Sequence, residues 1–147
     1  MNDDFICEWI KRAEQEKEGS IFQFISYYIA FNHLYSGEIY NYSNNRGELN
    51  LLKKYIGRIV KTCEFNPFGN LSSDSELLIS VSSEKNNKKT DTIRLQEKDI
   101  NELFTSIYYV RCNLFHGSKS MHNERNKKLV FDSCKVLRSL FNALNDK

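Results

Sequence analysis

The sequence predicts an all-α protein, an up-down bundle of about five helices. Three observations lead there. Apolar residues recur at the three-to-four-residue spacing of one helix face in five separate stretches. One proline and six glycines in 147 residues leave room for long helices. The content is 40% hydrophobic and 13% aromatic, with eight tyrosines and ten phenylalanines, which is enough apolar mass for a true core. The length suits one domain, so residues 1–147 read as a single folded unit.

The first helix is expected from about Asp3 to Glu18, with Phe5, Ile6, Trp9, Ile10 and Ala13 forming a one-sided stripe. Gly19-Ser20 breaks it, and Ser20 can cap the next helix through its hydroxyl. The second, about Ser20 to Tyr35, is apolar almost all round (Ile21, Phe22, Phe24, Ile25, Tyr28, Ile29, Phe31, Leu34). Such a helix belongs in the middle of a bundle or against a partner. His33 within it reads first as a structural histidine. Tyr40 to Arg46 is a polar turn. A third helix then runs to about Thr62, with Leu49, Leu52, Tyr55, Ile56, Ile59 and Val60 in register. Phe65-Asn66-Pro67-Phe68-Gly69 ends it.

Residues 64–97 are read as a small β-hairpin inserted between helices three and four, or as an unstructured loop. Leu77–Val81 and Thr92–Leu95 have strand character around a polar, lysine-bearing loop. The fourth helix spans about Lys98 to His116, using Ile100, Leu103, Phe104, Ile107, Val110 (or Tyr108), Leu114 and Phe115. After a short polar connection, Ser120 or Asn123 can cap a fifth helix that runs to about Leu144. Its apolar positions are Leu129, Val130, Val136, Leu137, Leu140, Phe141 and Leu144.

Net charge is +2, unevenly spread. Residues 1–40 hold 3 Lys/Arg against 7 Asp/Glu, whereas residues 111–147 hold 8 against 3. A basic excess at one end suits a polyanionic ligand, though it also suits a solvated helix face. Arg125, Lys127 and Lys128 crowd the start of helix five, where the helix dipole favours acids, so an anion-binding role is a candidate for them. Four widely spaced cysteines without a CxxC pair read as reduced thiols of a cytoplasmic protein, with neither a zinc site nor a disulfide frame. The acidic start lacks the basic region of a signal peptide. The uncharged stretch from Gly19 to Gly37 is interrupted by Ser20, Gln23, Ser26, Asn32 and His33, so a membrane span is not expected.

The chemistry concentrates at Val110–Lys119, which holds Arg111 and His116 at the end of an apolar helix. Histidine exchanges protons near neutral pH, and arginine is a permanent planar cation matched to phosphate oxygens. Together they are the minimum for cleaving RNA without a metal, by 2′-hydroxyl attack with charge stabilised at phosphorus. Five positions at roughly 100° each put the two side chains about 140° apart on a continuous helix. Convergence therefore needs the helix to stop near His116, as Gly117 would allow, or a second chain to complete the site. A buried arginine has a structural alternative, an ion pair or a snorkelling side chain.

The run Arg111-Cys112-Asn113-Leu114-Phe115-His116-Gly117 after an apolar helix resembles the Arg-x4–6-His signature of the HEPN family of α-helical domains. Ala30-Phe31-Asn32-His33-Leu34-Tyr35 resembles the second-helix segment of several of its subfamilies. Family members often carry Asn, Asp or His directly after the arginine; here Cys112 stands there and the asparagine follows at Asn113. The resemblance implies a metal-independent endoribonuclease of a toxin–antitoxin or phage-defence system, acting without cofactor as a homodimer with helix four at the interface. In that arrangement Arg111, His116 and Asn113 are catalytic. Ser118 and Lys119 line the cleft, and Arg125, Lys127 and Lys128 contact the nucleic acid. Products would end in 2′,3′-cyclic phosphate and 5′-hydroxyl. The alternative is a non-catalytic module that binds RNA, a nucleotide or a partner protein such as a cognate antitoxin.

Overall fold

The computed structural model describes residues 3–37, 47–64, 66–69, 71–72, 75, 77, 97–115 and 123–145. Among them are five helices and no strand: α1 (Asp4–Gln15), α2 (Ile21–Ser36), α3 (Glu48–Thr62), α4 (Glu97–Phe115) and α5 (Glu124–Asn145). The protein is an all-α bundle, as the apolar spacing predicts.

Local chemistry sets the helix ends. Asp3 caps α1 by accepting from the Ile6 N–H at 3.2 Å, and Ser20 caps α2 by accepting from the Gln23 N–H at 3.2 Å. α1 stops at Gln15, short of the expected Glu18, and Gly19 takes a positive φ of 75° in the turn that follows. Asn123 rather than Ser120 caps α5. Its Oδ1 accepts from the backbone N–H of Arg125 at 2.8 Å and of Asn126 at 3.3 Å.

α2 is the central element, as its nearly all-round apolar surface requires. It packs against α1, α3 and α5, while α4 packs chiefly on α3. α1 runs antiparallel to α2: Asp3 at the start of one reaches His33 near the end of the other, and Ala13 lies by Gln23. α5 follows α2 in the same direction, with Cys134 beside Ser20 and the Phe141 ring 5.7 Å from Tyr27. Phe24, Phe31, Tyr35, Leu103, Phe104 and Ile107 fill the middle, and the Phe31 and Phe104 rings sit 5.5 Å apart. Each such side chain contributes roughly 1.5–3 kcal/mol by burial.

The α3 register differs from the reading in one place. Leu51 is buried and Leu49 is only half-buried. Leu77, expected to open a strand, is helical and fully buried. The rest of the proposed hairpin, residues 78–96, and the turn at 40–46 lie outside the described residues. Ser75 anchors its segment to α5 by donating from Oγ to Asp132 at 2.8 Å, a buried contact.

Candidate functional site around Arg111

Arg111 sits one turn before the end of α4, on the side facing α2 and α3. The α4 spacing that buries Ile107 and Val110 also carries this guanidinium inward. Its side chain keeps 22% of its surface exposed. Nη1 donates to Oε2 of Glu48 at 3.2 Å and lies 3.8 Å from the Cys112 sulfur. The guanidinium carbon is 5.3 Å from the Tyr28 and Phe115 ring centres and 5.9 Å from that of Tyr108. Cation–π attraction therefore adds to the ion pair. Nε is buried without a hydrogen-bond partner. Burial works against the positive charge, but the Glu48 carboxylate together with the neighbouring Cys112, Tyr28 and Tyr35 outweighs it, so the pKa rises above the ordinary value. Arg111 remains a cation throughout the working range.

Glu48, the first residue of α3, is positioned where the helix dipole favours a carboxylate. Its Oε1 accepts from the Tyr35 hydroxyl at 2.5 Å and from Asn32 Nδ2 at 2.7 Å. Asn32 Nδ2 also reaches the Tyr35 oxygen at 2.9 Å, and the Tyr28 and Tyr35 hydroxyls pair at 3.0 Å. Burial pushes the pKa of both tyrosines upward, so they stay protonated and able to donate. The result is a connected chain, Tyr28–Tyr35–Glu48–Arg111, with Asn32 bracing the carboxylate. Three helices contribute to it.

Asn113 lies two residues on, on another side of α4. With Val110, Leu114, Asn126, Leu129 and Val130 it lines a small groove between α4 and α5. Arg125, Lys127 and Lys128 are exposed at the start of α5, and Lys127 pairs with Glu124 at 3.3 Å. His116, Gly117, Ser118 and Lys119 lie outside the described residues, as does His122. His33 is a surface histidine, 3.2 Å from Asp3 Oδ2 and with its ring centre 4.5 Å from that of Phe5 in a tilted arrangement, which fits its structural reading. All four cysteines are free thiols. Among the described residues no group of three or more His, Cys, Asp or Glu is placed to hold a metal ion, and no helix is long and apolar enough to cross a membrane.

Sequence reasoning missed Glu48, Tyr28 and Tyr35. One signal was present. Positions 28, 32 and 35 fall at i, i+4 and i+7, a polar stripe along an otherwise apolar helix. Glu48 carried no such sign, because its partner lies 63 residues away.

No family model, curated protein or solved structure matches this chain.

Proposed function

We propose that this protein is a metal-independent endoribonuclease of the HEPN kind, belonging to a toxin or defence system and acting in the cytoplasm as a homodimer. The observation that carries the reading is the state of Arg111. It is a cation near the end of α4, held by Glu48 and by aromatic faces, still partly open to solvent, and it precedes His116 by five positions in the sequence. An arginine fixed before substrate arrives needs little reorganisation when charge builds on a phosphate.

In this reading two subunits bring two Arg111–His116 pairs to one cleft. The 2′-hydroxyl attacks the adjacent phosphorus as one imidazole takes its proton. The other imidazole, protonated, gives a proton to the departing 5′-oxygen, and the guanidiniums steady the phosphorane. Asn113 orients the imidazole or the phosphate, and Ser118 and Lys119 line the cleft. Arg125, Lys127 and Lys128 attract the RNA backbone. Exposed Tyr109 (50%) and Phe115 (55%) on α4 supply apolar surface for the second copy.

The test is cleavage of RNA by purified protein in EDTA. Arg111→Ala and His116→Ala should each lower the rate by about 10²–10⁴. Products should carry 2′,3′-cyclic phosphate and 5′-hydroxyl ends, and the solution mass should be that of a dimer. Equal cleavage by all three proteins would sink the assignment.

A second reading has its own support. Glu48 already neutralises Arg111, and Phe22 on α2 is 64% exposed, a ready contact for a partner protein such as an antitoxin. A non-catalytic module that binds RNA, a nucleotide or a protein would keep RNA binding in His116→Ala and lose it in Arg111→Ala.

A further inference from the structure

We propose that Glu48 is a positioning residue, holding the Arg111 guanidinium in one orientation so that an RNA phosphate meets its remaining N–H edge. The inference rests on the ribonuclease reading for its ligand, but the holding itself is a property of the described side chains.

A solvated ion pair between flexible side chains contributes little, because both must be ordered to meet. This pair is different. The carboxylate is fixed before it meets Arg111, since Tyr35 and Asn32 both donate to Oε1 while Oε2 faces Nη1. Tyr35 is in turn held by the Tyr28 hydroxyl, inside the core. The pair is mostly buried, with 22% and 30% of the two side chains exposed. On the arginine side the constraint is sparse. Among five N–H groups, Nη1 takes the carboxylate and the buried Nε has no partner. Orientation therefore depends on Glu48, the flanking rings and the weaker contact of Nη1 with the Cys112 sulfur.

Charge gives the second argument. If Arg111 served only to attract phosphate, a carboxylate at 3.2 Å would be a liability, because it cancels the field that draws the anion. A carboxylate makes sense there if direction matters more than attraction. The two roles separate in kinetics. Losing Glu48 relieves the opposing charge, so KM should stay level or fall. Losing the orientation should lower kcat.

The experiment uses the full chain and Glu48→Gln, with Tyr35→Phe as a milder variant that keeps the carboxylate and loosens its anchor. The Arg111 Nε–H resonance, assigned by its loss in Arg111→Lys, reports orientation without reference to activity. In the wild type it should exchange slowly with water. In Glu48→Gln the exchange should speed by about tenfold or more, with kcat down by about tenfold and KM no higher, and Tyr35→Phe should fall between. An unchanged exchange rate in Glu48→Gln overturns the inference, and so does a raised KM with unchanged kcat. If the wild type fails to cleave RNA, the ribonuclease reading falls separately, and the exchange rates alone decide whether Glu48 holds Arg111.

Discussion

Gln23 joins α1 to α2 through one side chain. Its Oε1 accepts from the Gly19 N–H at 2.8 Å and its Nε2 donates to the Ala13 carbonyl at 3.0 Å, with the residue fully buried. The Gly19 N–H lies in the turn beyond α1, where no helical partner remains for it, whereas the Ala13 carbonyl also accepts from the Glu16 N–H at 3.1 Å. Gln23→Leu keeps the volume and removes both bonds. It should cost about 1–3 kcal/mol, since the Gly19 N–H loses its partner while the Ala13 carbonyl keeps that of Glu16. Denaturant unfolding would measure this, and a cost below 1 kcal/mol would show that water replaces the amide. The Ser20 cap three residues earlier was readable from the sequence. Gln23's reach to Ala13 was not, because sequence spacing does not say how tightly two helices close. Arg111 teaches the same lesson. Its type and its place near the end of a helix were legible, and its carboxylate partner was not.

At the scale of elements, the α1–α2 turn depends on one glycine. Gly19 has φ of 75°, and a Cβ there would lie 1.9 Å from Cδ2 of Phe131 on α5. Gly19→Ala therefore meets both backbone strain and the ring. Phe131 is partly exposed and can swing outward, so the expected cost is about 1–2 kcal/mol rather than misfolding. A double-mutant cycle with Phe131→Ala should recover part of that loss and leave the backbone share. Full recovery would mean that φ contributes nothing; no recovery would mean that the ring is irrelevant. The helices themselves were largely legible, because each must present an apolar stripe and the stripe's period is written in the chain. Errors fell at edges, within one stripe and at Leu77, expected in a strand and found helical. Periodicity alone did not separate Leu49 from Leu51, since both fit an apolar face and only packing against α2 and α4 selects one.

At the scale of the whole molecule, the core holds acids that prefer to stay protonated. Burial raises the pKa of Tyr28 and Tyr35 above their ordinary 10.0 and pushes the Cys134 thiol from 9.0 up to about 12. The folded state thus keeps protons that the unfolded chain releases. Their contribution to stability is full below about pH 9 and is lost as pH climbs above the unfolded values. The melting temperature should hold near pH 8, begin to fall around pH 9 and drop more steeply beyond pH 10. Tyr35→Phe should flatten the alkaline arm. A melting temperature constant from pH 8 to 11 would contradict this account.

The sequence alone determined the all-α class, the approximate spans of the five helices found among the described residues, the cap at Ser20, and the place of Arg111 near the end of α4. These follow from periodicity and from hydrogen bonds within a few residues. Only the tertiary structure decided which carboxylate faces Arg111, and that Tyr28, Asn32 and Tyr35 turn their polar ends toward it. Those contacts join residues on three helices, and it is close packing, not local propensity, that sets which side chains meet across such distances in sequence.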